Sequence, residues 1–357
     1  MEVLGRSKCA VMSVAASSTC DTNFASLDAA GAVTLWDMRL KKKDYMRVEA
    51  DSTVSAFDDA TELLFAADMH RAFVITGERI GCFDLRRHAV LDTYRHTCEL
   101  VMFLDGVHPQ GETTSLVIDE NGAIMPFCLL QCAPAVALSA RFFGSEQELT
   151  APSFGSLTNL CCGLGFLDSP QGGRPILCAV GMDGRGAVFT EAYNQKGEFN
   201  LMGDDWLCPT GGEMINPPLL TSCSFMGGFL AIGRANGMYS IAVPNDNEDS
   251  VVDVFSSPGH AQNNLSVVKW CGPARPRLFT CSVCGELSVW DVLPLLEAEE
   301  VSADVDVEEG DPPPLMMSGS VREVTGQAVS VNCGTVVGGG KLVVGDTMGF
   351  LTACSVE

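Results

Sequence analysis

The chain has 357 residues, of which 46% are apolar and only 19% are charged, and its formal net charge is −23. No cluster of basic residues exceeds Lys41-Lys42-Lys43. Because phosphate contacts need a concentrated basic face, direct binding to nucleic acid is not expected. No apolar run approaches the roughly 18 residues of a membrane-spanning helix, so the sequence predicts no contact with a membrane through such a span.

The first clear element is a β-hairpin made of two short apolar strands, Phe24–Leu27 and Val33–Asp37. Gly31 lies in the turn between them, where a two-residue hairpin requires a positive φ that glycine adopts without strain. The same pattern, with a turn glycine and a tryptophan five residues later, recurs at Leu278–Val292. Internal repetition of this kind is typical of solenoids and propellers.

Five weaker copies of the hairpin follow the same register. Aligned with the two tryptophans, Trp36 and Trp290, their equivalent residues are Phe83, Phe127, Phe189, Ala242 and Cys354. Six of the seven hairpins have glycine at the turn place, and the exception has Gly77 one residue earlier. The aligned residues are 44 (127 − 83) to 64 (354 − 290) residues apart, and a four-stranded propeller blade needs about 40–45. The sequence therefore predicts seven blades in one domain, residues 1–357.

Two Trp-Asp pairs and two histidines carry a family resemblance. Trp36-Asp37 and Trp290-Asp291 end their strands, and Gly259-His260 precedes Trp290 at almost the same spacing as His96 precedes Phe127. This arrangement resembles the WD-repeat β-propeller family. The resemblance implies an all-β, seven-bladed ring in which four residues are structural parts of the repeat, with each histidine bonding within its own blade: His96, His260, Trp290 and Asp291.

The two ends of the chain predict how the ring closes. The seventh hairpin finishes at Val356-Glu357, which leaves its blade without an outer strand. The segment Met1–Leu4 precedes the first blade and is available to pair there, separated by Gly5-Arg6-Ser7-Lys8 from a predicted strand at Ala10–Ala15. Pairing of the N-terminal strand in the last blade would remove an exposed sheet edge.

An acidic insert separates the sixth and seventh blades. Residues 297–314 contain eight carboxylates and no basic residue, and they end in three prolines. Low hydrophobicity with high charge cannot offset the entropy of ordering, so the segment is predicted to be disordered. A calcium-binding loop is the alternative, but the insert lacks the glycine and the ligand spacing of an EF-hand.

Catalytic and metal-binding motifs are missing from the sequence. There is no glycine-rich phosphate loop, no nucleophile elbow and no His-Glu-x-x-His, and the five histidines are dispersed. We therefore expect neither an enzyme nor a cofactor. The 16 cysteines are scattered through apolar strand patterns, which favours buried free thiols in a reducing compartment, the cytoplasm or the nucleus. The single Cys-x-x-Cys, Cys281–Cys284, has no second pair at zinc spacing, so no metal is expected.

The candidate partner-binding residues lie at the ends of two successive hairpins. Both the first, Trp36-Asp37-Met38-Arg39, and the second, Phe83-Asp84-Leu85-Arg86, place an arginine two residues after an aspartate. This resembles the box by which WD-repeat substrate receptors dock onto the damage-specific DNA-binding adaptor of cullin-RING ubiquitin ligases of the cullin-four type. The sequence departs from that box at Ala30, usually aspartate, and at Phe83, usually tryptophan. The alternative is that each arginine pairs within its own blade.

These resemblances lead to two functional expectations. The first is a non-catalytic substrate receptor or adaptor of a cullin-RING ubiquitin ligase, in which Trp36, Asp37, Arg39, Phe83, Asp84 and Arg86 contact the partner. The second is a general WD-repeat scaffold for a cytosolic or nuclear assembly. In both cases the partners are proteins.

Overall fold

The structure is a computed structural model that describes residues 1–17, 19–40, 44–48, 59–66, 68, 70–87, 89–106, 114–135, 149–150, 157–165, 174–181, 184–190, 194–200, 219–226, 229–245, 250–260, 263–272, 275–294, 313–338 and 340–355. In these ranges the chain forms mainly β-strands, and α1 (Val321–Thr325) is a short helix. The predicted acidic insert falls on residues 297–312, outside the described residues, apart from its last two prolines.

The chain starts with a strand that belongs to the last sheet, β1 (Glu2–Arg6). The first sheet then contains β2 (Val11–Ala16), β3 (Asn23–Asp28), β4 (Val33–Asp37) and β5 (Asp44–Val48). The second sheet contains β6 (Glu62–Phe65), β7 (Arg71–Thr76), β8 (Arg79–Asp84) and β9 (Ala89–Arg95). In both sheets the strands run antiparallel in chain order from the innermost to the outermost.

A short strand links the third and fourth sheets. The third contains β10 (Leu100–Phe103), and after it β11 (Asp105–Gly106) leaves to pair in parallel with the fourth sheet. The third sheet continues with β12 (Thr114–Asp119), β13 (Ala123–Cys128), β14 (Ala133–Pro134) and β15 (Leu149–Thr150). The fourth contains β16 (Leu157–Gly165), β17 (Arg174–Gly181), β18 (Arg185–Thr190) and β19 (Asn194–Asn200). Neither the pairing of β11 with β16 nor the pairing of β15 with β13 was predicted.

Two more sheets and a closing sheet complete the ring. The fifth contains β20 (Leu220–Met226), β21 (Phe229–Arg234), β22 (Met238–Asn245) and β23 (Ser250–Pro258), and the sixth contains β24 (Leu265–Cys271), β25 (Arg277–Ser282), β26 (Glu286–Asp291) and β27 (Leu315–Ser320). The closing sheet joins β1 to β28 (Val331–Val337), β29 (Lys341–Asp346) and β30 (Phe350–Ser355). The molecule is an all-β propeller: six sheets follow one another in the chain, and the closing sheet combines both ends.

All the hairpins predicted from the repeat are present. Each joins the second and third strands of its sheet, and each turn contains a glycine with positive φ: Gly31, Gly77, Gly122, Gly184, Gly237, Gly285 and Gly349. At Gly237 a Cβ atom would lie 2.0 Å from the carbonyl oxygen of His260, so both the φ of +83° and the close approach require glycine.

Apolar side chains buried between adjacent sheets hold the ring together. Leu27 and Leu35 of the first sheet pack with Leu63 and Phe83 of the second. Because both faces of the central strands are covered in this way, β3 and β4 are buried along their whole length. Comparable clusters lie between the second and third, fourth and fifth, fifth and sixth, and sixth and closing sheets.

A register irregularity recurs in the innermost strands. Six of them, β2, β10, β16, β20, β24 and β28, shift register against their partner by one extra residue near the start of the strand. The innermost strand of the second sheet, β6, pairs without a shift. Such bulges bend a strand and re-aim its side chains. The apolar alternation in the sequence does not reveal them.

The predicted closure by the N-terminal strand is confirmed. β1 pairs antiparallel with β30, with Glu2 opposite Ala353 and Arg6 opposite Phe350, and the backbone N–H of Ser7 donates to the carbonyl oxygen of Gly349 at 2.7 Å. The strand extends to Arg6, beyond the predicted end at Leu4, because the pairing continues past a bulge.

Side chains of β1 also contact the first sheet. Leu4 is buried in a cluster that contains Trp36 and Val343. Gly5 lies so close to the indole that an added Cβ would come within 2.3 Å of Trp36 Cζ3. The N-terminal strand therefore seals the junction between the closing sheet and the first sheet as well as supplying the missing outer strand.

Weakening β1 should destabilise the whole ring. Leu4 is 7% exposed and Val3 is 37% exposed, so the two neighbours form a matched pair. We expect Leu4→Ala to lower the free energy of unfolding by about 2–5 kcal/mol, because it leaves a cavity at the junction. Val3→Ala should change it by about 0.5 kcal/mol or less. Urea unfolding followed by circular dichroism measures both.

Two truncations extend the comparison. Deletion of Met1–Arg6 should lower the thermal midpoint, because it uncovers the edge of β30, whereas deletion of Glu299–Gly310 from the acidic insert should leave it unchanged. Equal effects of the two alanine variants, or of the two deletions, would contradict a stabilising role for β1.

Candidate protein-interaction face

The candidate binding residues lie on the face of the ring opposite the glycine turns. In each sheet the third strand starts at the glycine turn, so its other end reaches the opposite face. Three of these strands, β4, β8 and β26, end in aspartates, namely Asp37, Asp84 and Asp291. We call this surface the aspartate face. Trp36 and Phe83, which precede two of the aspartates, are buried in the core and are not exposed to a partner.

Asp37 fixes both the backbone and the side chain of Arg39. Its Oδ1 accepts the backbone N–H of Arg39 at 2.9 Å and the Nε–H at 2.9 Å, while Oδ2 accepts from Nη2 at 2.6 Å. Such two-point contacts between a guanidinium and a carboxylate define orientation as well as energy. The Arg39 side chain is nevertheless 66% exposed, whereas Asp37 is 10% exposed.

Asp84 supports Arg86 in a looser version of the same arrangement. Its Oδ1 accepts the backbone N–H groups of Arg86 and Arg87 at 2.9 and 3.2 Å. The Nε of Arg86 lies 3.7 Å from Oδ1, and the Nε of Arg87 lies 3.6 Å from Oδ2. The two guanidinium groups are 61% and 77% exposed. The alternative considered from the sequence, pairing within the blade, is thus seen for both arginines, but neither is buried by it.

Both aspartates favour the ionised form. The Arg39 side-chain hydrogen bonds, together with its backbone N–H, hold the pKa of Asp37 below its usual range. For Asp84, desolvation opposes ionisation, but the backbone N–H groups of Arg87 and Arg86 and the nearby guanidinium charges outweigh it and lower the pKa. The ion pairs therefore persist at neutral pH.

The third sheet places a leucine at the position of the two arginines. Leu130 follows β13 at the same distance from the aligned aromatic residue, and it is 61% exposed, the most of any large apolar side chain in the described residues. The second and third sheets are bridged there, since Arg71 Nη1 donates to the carbonyl oxygen of Leu129 at 3.0 Å. Three successive sheets thus present Arg39, Arg86 and Leu130. Sequence reasoning missed Leu130 because its strand ends in Cys128 and not in aspartate.

Asp291 in the sixth sheet has a different partner. Its Oδ1 accepts the backbone N–H of Leu293 at 3.3 Å, and its Oδ2 pairs with Arg275, which lies between β24 and β25. The strand-end aspartate therefore caps the turn without needing an arginine two residues later.

The repeat residues His260 and Trp290 meet inside the sixth sheet. Trp290 Nε1 donates to Thr280 Oγ1 at 3.0 Å, and His260 Nε2 lies 3.1 Å from the same oxygen. Trp290 is 8% exposed, and Tyr239 of the fifth sheet packs against its ring. Burial lowers the pKa of His260, which keeps the imidazole neutral.

His96 makes its contacts in the third sheet. Its Nε2 lies 3.2 Å from Oδ2 of Asp119, which precedes the glycine turn of that sheet, and its Nδ1 lies 3.1 Å from the hydroxyl oxygen of Tyr94. Both ring nitrogens therefore have partners. The first sheet has a simpler version of the contact, in which Ser7 Oγ donates to Asp28 Oδ2 at 2.6 Å.

A cavity of about 560 Å³ lies at the centre of the ring, lined by innermost strands of several sheets. Glu62 and Lys269 lie in its wall, from β6 and β24, and Ser13 Oγ donates to Glu62 Oε1 at 2.9 Å. Desolvation raises the pKa of Glu62 to about 7 and lowers that of Lys269 to about 8, while each group partly offsets the shift of the other. No motif in the sequence links this pair, because its members belong to the second and the sixth sheet.

Other expectations can be compared with the described residues. The 13 cysteines whose side chains the structure describes are free thiols, and among them only Cys284 is exposed. No helix described there is long and apolar enough to cross a membrane.

The sequence matches no protein-family model and no curated protein, so the propeller assignment rests on the sheets themselves.

The Glu62 carboxyl should make stability depend on pH. Its pKa is raised on folding, so the native state binds the proton more tightly, and the free energy of unfolding falls as pH rises from about 4.5 toward 7. Glu62→Gln removes this dependence. Between pH 5 and 7.5 we expect the wild type to lose at least about 1 kcal/mol relative to the variant, since one pKa unit corresponds to about 1.36 kcal/mol and water in the cavity reduces the full effect.

Urea titrations at several pH values measure the difference. Glu78→Gln, which removes a carboxyl on the surface, controls for the loss of one negative charge. Parallel pH profiles for the wild type and Glu62→Gln would show that the carboxyl in the cavity is hydrated and would refute the prediction.

Proposed function

We propose that the chain is a non-catalytic protein-interaction propeller, and that it acts as a substrate receptor or adaptor of a cullin-RING ubiquitin ligase of the cullin-four type. The proposal starts from the resemblance to the WD-repeat family. Within that family, Tyr94-Arg95-His96, Ile215-Asn216-Pro217 and the acidic insert resemble WD repeat-containing protein 53, which is regarded as a substrate receptor. The proposed partners are proteins, the damage-specific DNA-binding adaptor first among them, and the proposed location is the cytoplasm, the nucleus or both.

One observation carries the proposal: equivalent positions of two neighbouring sheets present Arg39 and Arg86 to solvent. The guanidinium of Arg39 is hydrogen-bonded to Asp37 and that of Arg86 forms an ion pair with Asp84, while more than half of each side chain stays exposed. A guanidinium held in this way loses less conformational entropy when it binds than a freely rotating one. The pairing within the sheet therefore orients the arginines, and it does not remove them from binding.

The neighbouring side chains indicate what kind of segment would fit. Arg87 adds a third exposed guanidinium beside Arg86, and Leu40 and Leu130 add exposed apolar surface at 41% and 61%. On a chain with a net charge of −23, a surface that presents guanidinium groups is complementary to an acidic partner. An adaptor segment that combines carboxylates with apolar side chains would match this part of the aspartate face.

The same observations support a second candidate, a general WD-repeat scaffold in a cytosolic or nuclear assembly. Such a scaffold would use the same face without the ligase. The two candidates differ in the identity of the bound protein, so affinity purification followed by mass spectrometry distinguishes them. Adaptor and cullin peptides favour the receptor, and their absence beside other stable partners favours the scaffold.

Reversal of both arginines tests the proposal directly. In Arg39→Asp/Arg86→Asp, two charge-assisted contacts worth about 1.5–3 kcal/mol each are lost and replaced by repulsion. We expect the affinity for the purified adaptor to fall by at least about 100-fold, since about 1.4 kcal/mol corresponds to a factor of ten. The fold should survive, because both side chains lie on the surface. Binding is measured by biolayer interferometry beside a melting curve.

Two further variants calibrate the result. Arg95→Asp reverses an arginine that is 68% exposed and pairs with Glu78, so it matches the test residues in exposure and pairing but lies on the opposite face; it should bind normally. Trp290→Ala removes a buried aromatic side chain and should cost about 3–5 kcal/mol of stability. Wild-type adaptor binding by a folded double variant would reject the receptor, and loss of folding would show that the arginines stabilise the sheets.

A further inference from the structure

A histidine, a thiol and a carboxylate converge on the glycine-turn face of the third sheet. The ligand atoms of His96, Cys98 and Asp119 all lie within 4.8 Å of one another. Asp119 and His96 are largely buried and Cys98 is partly buried. In the described residues this is the one place where three such side chains come so close.

Neighbouring groups hold each of the three side chains, and the proposed ligand atoms of His96 and Asp119 contact each other, with 3.2 Å between Nε2 and Oδ2. The Nδ1 of His96 contacts the hydroxyl of Tyr94 at 3.1 Å. Asp119 Oδ1 accepts the backbone N–H groups of Asn121 and Ala123 at 3.0 and 2.9 Å, so Oδ2 is the oxygen that faces His96 Nε2 at 3.2 Å. The Asn121 side chain donates to Cys98 Sγ at 3.0 Å. Contacts of this kind orient metal ligands and adjust their basicity.

The backbone around the cluster is also fixed. The N–H of His96 donates to the carbonyl oxygen of Glu78 at 2.7 Å, and the N–H of Leu100 donates to that of Gly77 at 2.9 Å. Glu99 accepts the N–H of Glu120 at 2.9 Å, which ties the histidine and cysteine segment to the aspartate turn. The separation of the ligands therefore does not depend on a free loop.

Comparison with the other sheets shows that the fold does not require this combination. In the sixth sheet the turn residue is Ser282, whose hydroxyl accepts the backbone N–H of Glu286, and His260 bonds to Thr280. In the first sheet Asp28 is paired with Ser7. Of these three sheets, only the third brings the ligand atoms of a histidine, a carboxylate and a thiol within 4.8 Å of one another, so Cys98 is an addition to the structural contact.

We propose that His96 Nε2, Cys98 Sγ and Asp119 Oδ2 bind a divalent transition-metal ion, with zinc the best match to this set of donors. Zinc bonds of about 2.0–2.3 Å in a tetrahedron place neighbouring ligand atoms about 3.3–3.7 Å apart. The observed 3.2 Å between Nε2 and Oδ2 is close to that spacing. Three protein ligands leave a fourth position for water or for a ligand from a partner.

The charges and protons balance on binding. The thiol of Cys98 releases one proton to solvent when it becomes a thiolate, and the carboxylate of Asp119 is already an acceptor in two backbone hydrogen bonds. The ion replaces the hydrogen bond between His96 Nε2 and Asp119 Oδ2, and the imidazole then carries its single proton on Nδ1, where it donates to the Tyr94 oxygen. The charges of zinc, thiolate and carboxylate then sum to zero, which lowers the cost of holding the ion in a partly buried site.

Metal loading of the purified full-length chain tests the proposal. After treatment with a chelator and then one equivalent of zinc chloride, followed by desalting, mass spectrometry of the metal content should find one zinc per chain. The midpoint of thermal unfolding should rise with zinc, because an ion that binds only the folded state stabilises it. Cobalt chloride should give a thiolate-to-cobalt absorption band in the near ultraviolet.

Cysteine variants locate the ion. Cys98→Ser should abolish the cobalt band and weaken zinc binding by more than the roughly 10–100-fold that loss of a supporting contact costs. Asn121→Ala, which removes the donor to the sulfur, should weaken binding within that range. Cys284→Ser changes a thiol in the glycine turn of the sixth sheet, where Sγ contacts Asn263 Oδ1, and should retain full binding.

Each alternative result has a definite meaning. A chain that retains no zinc, or zinc that is retained equally by the wild type and Cys98→Ser, would overturn the proposal. Because serine keeps the size and polarity of the thiol, a misfolded Cys98→Ser is not expected. If it does unfold, Asn121→Ala provides the second test. A thermal midpoint of Asn121→Ala that rises at the same zinc concentrations as that of the wild type would also count against the site.

Discussion

Pairing of β1 with β30 is the constraint on which the rest of the structure depends. A sheet of the ring is stable because both of its faces are covered by neighbours, so an open junction would expose two apolar faces and a strand edge together. Leu4 and Gly5 prevent this, since one fills the cluster around Trp36 and the other allows the chain to pass against the indole. The two ends of the chain must therefore meet before every sheet has both of its neighbours, which makes the ring one cooperative unit.

The aspartate face shows how a structural contact can provide a binding surface. A strand-end aspartate satisfies the first N–H groups of the turn that follows, and this requirement is met at Asp37, Asp84 and Asp291 alike. The side chain two residues later is not needed for this contact, since the residue there is arginine in the first two sheets and leucine in the sixth. A position that the fold leaves open in this way can be selected for binding, and the exposure of Arg39 and Arg86 agrees with such a use.

The sequence predicted the features that depend on local backbone geometry. Glycine is required wherever a two-residue turn needs positive φ, so the seven turns could be recognised even where the rest of the repeat had degenerated. Closure by β1 followed from counting strands against the chain ends. The predicted end of β1 at Leu4 was too early, because pairing through a bulge leaves no pattern in the sequence.

Features that depend on convergence of distant residues could not be predicted. In the sequence, Glu62 and Lys269 cannot be distinguished from other charged residues in strands, and only closure of the ring brings them into one cavity. Leu130 lacks the strand-end aspartate that marks the two arginines. Cys98 precedes β10 whereas Asp119 ends β12, so no short motif links the thiol to the carboxylate. The local sequence pattern indicates the role of a residue in its own hairpin. It carries no information about the residues that the closed ring brings next to it.

The turn carboxylates show where such added chemistry can arise. Asp28, Asp119 and Asp346 each use Oδ1 to accept the backbone N–H groups two and four residues later. Their second oxygens differ: Ser7 binds that of Asp28, His96 binds that of Asp119, and the buried Oδ2 of Asp346 has no hydrogen-bond partner in the described residues. Burial accordingly raises the pKa of Asp346. Since the hairpin needs only Oδ1, the second oxygen can change partner without loss of the turn. A propeller built from such turns can therefore acquire a ligand site in one sheet while the equivalent position elsewhere remains purely structural.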